Sequence, residues 1–212
     1  MSARDRSKGQ DLRRRGVAGT PRRPVVHIFV EGSVTEKEYI ERLQDVSEVT
    51  GNTFLKVHHR GNSPRRVVDA VIQERATSPD ADVHQFWAVF DVEAPTPHGD
   101  LDKAMELARH HQVHTAVSNP CFELWLLLHT TDQYAYLTSA EATRLYRETD
   151  GSTDKHLTAI APVNAEGVSR ACKRSARLRE RHKRNGTVFP QDNPSTTMDL
   201  LIDAIRKVGN QD

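Results

Sequence analysis

The chain has 212 residues, 36% hydrophobic and 28% charged, with a formal net charge of +1, which suits one compact domain with appendages, or two small ones, around a modest core. Its two cysteines, Cys121 and Cys172, are too few for a disulfide framework or a cysteine-based zinc site. No apolar run approaches the roughly 20 residues of a membrane span, and the first residues lack the apolar core of a secretory signal, so a reducing cytoplasm and no membrane partner are expected.

Residues 1–23 are Arg- and Gly-rich with almost no apolar content and are predicted to form a disordered basic arm. Residues 25–30, Val-Val-His-Ile-Phe-Val, form a nearly continuous apolar run. That predicts a strand covered on both faces, ending at Glu31-Gly32. Thr35 and Glu38 read as a capping box, followed by a helical stripe of Tyr39, Ile40 and Leu43. A second strand is predicted over 53–59, closed by Arg60-Gly61-Asn62. Ser63-Pro64 suits the cap and first turn of a helix that turns Val67, Val68, Val71 and Ile72 inward. A third strand over 86–90 runs into Asp91-Val92-Glu93, with Pro95, Pro97 and Gly99 stiffening the loop beyond. Asp100 opens a helix through Met105, Leu107 and Ala108, and 113–117 predicts a fourth strand. Strands alternating with helices imply a parallel sheet with right-handed crossovers.

Residues 117–129, Val-Ser-Asn-Pro-Cys-Phe-Glu-Leu-Trp-Leu-Leu-Leu-His, read as a strand end, a tight polar turn and a helix with an unusually apolar face. Phe122, Trp125 and Leu126 are expected in the core. Beyond residue 130 the pattern is helical, with helices over 139–149 and 166–185. A last helix, capped by Asn193-Pro194-Ser195, carries Met198, Leu200, Leu201 and Ile205. The expected organisation is an arm (1–23), an α/β domain (24–130) and a helical C-terminal extension (131–212) packed on the same core.

If the strands are parallel neighbours, Glu31, Asp91, Glu93 and the polar turn at 118–120 converge at the C-terminal edge of the sheet, where sites of such sheets form. Mg²⁺ or Mn²⁺ takes a few carboxylates plus waters. In an extended segment residues 91 and 93 project to one side, so Asp91 and Glu93 can face one ion together. Such a centre fits phosphodiester or phosphoryl chemistry. Asp-x-Glu pairs abound on exposed loops, and the apolar strand before each acidic loop is what singles these out. Lys155, ahead of Lys56, is the lysine expected to neutralise a phosphate, although both also fit an ordinary surface. Ser118 and Asn119 suit phosphate contact or capping of the next helix equally. His129 suits carbonyl capping more than ligation. The adjacent pairs His58-His59 and His110-His111 lack metal spacing and are expected at the surface.

Charge is polarised: residues 1–24 hold eight Lys/Arg against two acids, residues 170–184 hold eight against one, and the remainder sits near −12. An acidic body with basic arms suits a metal site that must attract a polyanion. On the helix over 166–185, Val168, Ala171, Cys172 and Leu178 form an inner stripe. Arg170, Lys173, Arg174, Arg177, Arg181 and Arg184 lie outside it. They suit a phosphate backbone of DNA or RNA, or a solvated face docked on the acidic body.

Taken in order, Val30-Glu31-Gly32 with Thr35-Glu36 and Tyr39, Phe90-Asp91-Val92-Glu93, the segment 118–129, and Asn193-Pro194-Ser195-Thr196-Thr197 resemble the RloB family. These are small proteins of TOPRIM-like fold found in bacterial restriction and phage-abortive contexts. The resemblance covers about residues 24–208, and its most specific part is 118–129. It implies a small parallel sheet of TOPRIM type flanked by helices, and a Mg²⁺-dependent nuclease or nuclease-like effector of antiviral defence. Glu31 then matches the first-strand Glu, a metal ligand or general acid/base. Asp91 matches the first acid of the Asp-x-Asp pair, Glu93 stands where the second Asp is usual, and Glu123 becomes a candidate ligand for a second metal. The resemblance further implies an ABC/AAA-type ATPase partner, the chain itself having no Gly-x-x-x-x-Gly-Lys loop. A nucleic-acid-sensing or regulatory subunit without turnover is the alternative, kept alive by Glu93. DNA against RNA, and self-association as a homo-oligomer, stay open.

Overall fold

The computed structural model describes residues 24–79, 81–158 and 163–210. The basic arm expected over 1–23 lies outside the described residues.

Apolar runs become the strands β1 (Val25–Val30), β2 (Phe54–His59), β3 (Gln85–Asp91) and β4 (His114–Asn119). They pair in parallel, and a two-residue strand β5 (Ser195–Thr196) adds antiparallel to β4, giving the order β2-β1-β3-β4-β5. The protein is thus α/β, with a mostly parallel five-stranded sheet flanked by helices. Because successive side chains point to opposite faces, each central strand feeds two cores. Val26, Ile28 and Val30 enter one core and Phe29 the other.

Helices α3 (Pro64–Thr77) and α4 (Leu101–His110) cover the Phe29 face through Val67, Val68 and Val71, and through Leu101, Ala104 and Ala108. The opposite core is larger. It takes α1 (Thr35–Gln44), α2 (Ser47–Thr50), α5 (Phe122–Leu127), α6 (Ser139–Asp150), α7 (Ala165–Arg184) and α8 (Met198–Gly209). Residues on both sides of position 130 share this core, Trp125 and Tyr39 packing with Val168, Leu178 and Ile202. Trp125 is fully buried and meets the rings of Tyr39 and His129 edge-on at 6.2 and 5.1 Å.

Several local expectations need correction. Thr35 is the first residue of α1 rather than its cap, and Val34 at the cap makes no side-chain bond. The capping box occurs instead at α6, where Thr138 and Glu141 satisfy each other's backbone N–H groups. Asn193-Pro194-Ser195 does not cap α8. Asn193 spans the backbone of Leu137, donating to its carbonyl at 2.8 Å and accepting from its N–H at 3.0 Å, while Ser195 enters β5. Leu200 faces solvent, and Met198, Leu201, Ile202, Ile205 and Val208 form the buried stripe of α8.

A buried ion pair locks β5 in place. Asp199 of α8 accepts from Ser175 at 2.9 Å and from both terminal nitrogens of Arg179, whose guanidinium also donates to the Thr196 carbonyl at 2.9 Å. Removing one partner of such a pair strands the other, so Asp199→Ala is expected to cost about 3–5 kcal/mol in urea denaturation. Trp125→Ala is expected to cost about 3–5 kcal/mol in the same measurement, through the cavity it leaves.

Candidate functional site

Parallel pairing brings the C-terminal ends of β1, β3 and β4 to one edge, with Val30 opposite Val89 and Asp91 opposite Ser118. Glu31 continues the ladder, its backbone N–H donating to the Val89 carbonyl at 3.1 Å. Its carboxylate folds back to accept from the Asp91 N–H at 3.3 Å and lies 3.1 Å from His98 Nε2. Past Asp91 the backbone turns. The Val92 and Glu93 N–H groups donate to the carbonyls of Ser118 and Pro120 at 2.9 and 2.8 Å. Glu93 adopts a left-handed φ of 70°, a conformation costing a non-glycine residue roughly 1 kcal/mol or more. Asp91 and Glu93 therefore do not share a face of an extended strand, as the spacing suggests. The turn, held by β4 and Pro120, aims Glu93 at the same space.

That space is a cavity of about 260 Å³ lined by Glu31, Glu36, Asp91, Glu93, Glu123 and Asp154, with Arg147 and Lys155 among its other walls. Glu123 comes from the first turn of α5 and Glu36 from the first turn of α1. Sequence reasoning missed Glu36, which reads as one more acid at a helix N-terminus. The available signal was Gly32: a Cβ there would lie 2.0 Å from a Glu36 carboxylate oxygen. The glycine leaves room for Glu36 to reach the cavity.

Crowding shifts the acids upward. Burial raises Asp91 well above the usual carboxylate range, and the charges of Glu36, Glu123, Glu31 and Glu93 add to it. Glu36 is pushed up to about 7, first by burial and further by Glu123 and Glu31, against hydrogen bonds from its own and Gly32 backbone N–H groups. Glu31 is raised by burial and partly restored by His98. Cys121 also lines the cavity, where burial and the charges of Glu123 and Asp91 push its thiol up and disfavour the thiolate. The donor set, all oxygen and short of positive charge, suits a hard divalent cation. Its oxygens surround a space rather than close on a point, which fits Mg²⁺ retaining several waters.

The loop 154–158 carries Lys155 to the cavity rim, and the polar face of α1 holds it there. Thr35 Oγ1 donates to the Lys155 carbonyl at 2.8 Å, Glu38 pairs with His156 and accepts from the Leu157 N–H, and Arg42 donates to the carbonyls of Leu157 and Thr158. The Thr35/Glu38 pair thus anchors a remote loop instead of capping its own helix.

The residues expected to touch nucleic acid are mostly occupied. Ser118 and Asn119 are 1% and 2% exposed. Ser118 Oγ pairs with Thr196 Oγ1 at 3.0 Å, and Asn119 donates to the Pro190 carbonyl at 2.8 Å and to Asp192 at 3.1 Å. They fasten β5 and its approach rather than face phosphate. On α7, Arg170 and Arg174 donate to the carbonyls of His129 and Leu128 at 2.9 and 2.8 Å. Arg181 donates to the Tyr134 carbonyl at 2.7 Å, its guanidinium 5.4 Å from that ring's centre. These three cations secure the chain beyond α5. Lys173 and Arg177 are exposed, with no ion pair among the described residues. His129 is buried, its Nδ1 at 2.9 Å from the Trp125 carbonyl, which is the capping role expected of it.

A second grouping lies at the β2 edge. His27, His58 and Glu74 are, among the described residues, the one set of three that brings ligand atoms within 4.8 Å of one another. His58 is therefore half-buried rather than a plain surface residue. Burial pushes His27 down to about 4 and lowers His58, and the two neutral rings satisfy each other at 3.3 Å.

Among the described residues no helix is long and apolar enough to cross a membrane. Neither a curated protein nor a solved structure matches the chain. A family model described as RloB-like protein matches residues 26–205, from β1 into α8. The chain belongs to the RloB-like family.

Proposed function

We propose that this chain is a nuclease of TOPRIM type, dependent on Mg²⁺ or Mn²⁺, serving as an effector in antiviral defence. The observation that carries the reading is the convergence of Glu31, Glu36, Asp91, Glu93 and Glu123 on one cavity with Lys155 at its rim. Glu31, Asp91, Glu93 and Glu123 would hold the metal, which when bound supplies Lewis-acid neutralisation of phosphate charge. Glu36, poised near neutrality, can take or return a proton at its carboxylate as a general acid/base. Lys155 neutralises the phosphate from the open side. An ABC/AAA-type ATPase as partner belongs to the same reading, since the sequence has no nucleotide-phosphate loop of its own.

A second reading keeps metal and nucleic acid but not turnover, in a sensing or regulatory subunit. It is favoured by Glu93, which departs from the Asp of the TOPRIM pattern and sits on a left-handed backbone. Incubating the protein with single-stranded DNA, double-stranded DNA, tRNA and mRNA, with Mg²⁺ or Mn²⁺ and with EDTA, separates the two. Cleavage that EDTA abolishes supports the nuclease. Binding without cleavage of any substrate supports the regulator.

Asp91→Asn is expected to abolish cleavage while the melting temperature of the metal-free protein stays equal or rises, because Asn keeps the shape of a carboxyl that burial and its acidic neighbours already hold back from ionising. A marked fall in melting temperature would make Asp91 structural. The pH dependence follows from Glu36. A carboxyl raised from 4.5 to about 7 contributes stability that is full below 4.5 and is lost as pH rises through 7. Metal-free protein should therefore melt lower at pH 8 than at pH 5.5, and Glu36→Gln should flatten that slope. Mg²⁺ or Mn²⁺ should raise the melting temperature more at pH 8 than at pH 5.5. Equal shifts at both pH values would argue against ligation by these acids.

A further inference from the structure

Beside the acidic cavity lies an open groove of about 610 Å³ along α6, and the two share Ser139, Thr143 and Arg147. Three buried polar atoms without a partner among the described residues belong to these walls: the Tyr146 hydroxyl in the cavity, Arg147 Nε on the residue the two spaces share, and Ser152 Oγ in the groove. Buried donors are almost always satisfied, so the unmade Nε marks a guanidinium that the protein itself does not engage. The neighbouring cations differ. Arg144 is paired with Glu148 at 2.7 Å, and Arg170, Arg174 and Arg181 are spent on carbonyls. Arg147 makes no side-chain hydrogen bond or ion pair among the described residues, although six acids line the cavity it borders. Ser139 Oγ accepts from the Ala94 N–H at 3.0 Å, which leaves its own hydroxyl hydrogen free to donate.

We propose that Arg147 is the phosphate-docking residue of this site, and that a nucleic-acid strand lies along the α6 groove with one phosphodiester on its guanidinium. The proposal rests on the reading that the acidic cavity acts on phosphodiesters. It moves the substrate path from α7 to α6. Arg147 donates from its two terminal nitrogens, the end of the guanidinium that is not buried, to two phosphate oxygens, a fork geometry that arginine and phosphate share. The hydroxyls of Ser139, Thr143 and Ser152 are the further donors along the groove.

The test is fluorescence anisotropy of labelled 12-nucleotide single-stranded DNA and RNA with the full chain, in Ca²⁺ to hold the strand intact, over a salt series. Arg147→Gln is expected to raise Kd about ten- to a hundredfold and to lower the salt slope by about 0.7. Arg147→Lys should recover part of the affinity. Arg109→Gln, the same charge change on the opposite face of the sheet, should stay within about twofold. In Arg147→Gln, Mn²⁺ binding by calorimetry should be no weaker, since a cation beside the acids is gone, and the melting temperature should be unchanged. Wild-type affinity in Arg147→Gln, no oligonucleotide binding by the wild type, or a melting temperature that falls with the affinity would each overturn the proposal. Displacement of the strand by millimolar inorganic phosphate, with the strand adding no affinity over it, would overturn the strand path. Arg147-dependent binding without cleavage in Mg²⁺ or Mn²⁺ would sink the nuclease reading and leave this inference standing, whereas cleavage indifferent to Arg147 would do the reverse.

Discussion

Like charges gathered at the C-terminal edge of the sheet repel one another, and the local backbone is built to prevent them from moving apart. Parallel pairing sets Glu31 and Asp91 on neighbouring strand ends, and the Asp91 N–H draws the Glu31 carboxylate inward. Glu93 is itself left-handed, in a turn that two backbone hydrogen bonds hold. Glu36 enters over the bare Cα of Gly32. Acids held this way in a buried cavity keep protons they would lose in water.

The remaining walls come from helices that the parallel sheet alone does not supply. α6 brings Ser139, Thr143, Tyr146 and Arg147 to the cavity, and the loop after it brings Asp154 and Lys155. The long basic helix α7 works mainly as a brace. Its arginines neutralise carbonyls left unpaired where α5 ends, a task that suits cations near a helix C-terminus. A dense run of arginine in sequence is thus mostly consumed by the protein itself.

The four parallel strands and the long helices were legible because an apolar run or a 3.6-residue stripe signals them locally, and the acids at strand ends inherited their placement from that topology. What was illegible depends on partners distant in sequence. β5 is Ser-Thr, two residues without an apolar signal, recognisable only from the free edge of β4. Thr35 and Glu38 have capping-box spacing, yet their side chains are claimed by a loop about 120 positions later. Ser118 and Asn119 look like polar residues at the mouth of a site, and only the return of 190–196 shows them to be buried fasteners. The helix over 166–185 was read to within a residue of its ends, but which of its cations are free could not be read from periodicity.

The short β5 also dictates an order of assembly. Val117 donates its N–H to Thr197 Oγ1 and accepts from the Thr197 N–H across 80 positions of chain, so β4 is synthesised long before the strand that covers its edge. Until residues 195–199 emerge, β4 is an open template for pairing with another chain, and closing so wide a loop slows folding. The carboxylates of β1 and β3 can meet early, whereas the walls from α6 and the 154–158 loop follow and the clamp through Asp199 comes last. The cavity walls, complete with Lys155, thus precede in the chain the Asp199 clamp that fixes the strand covering the β4 edge.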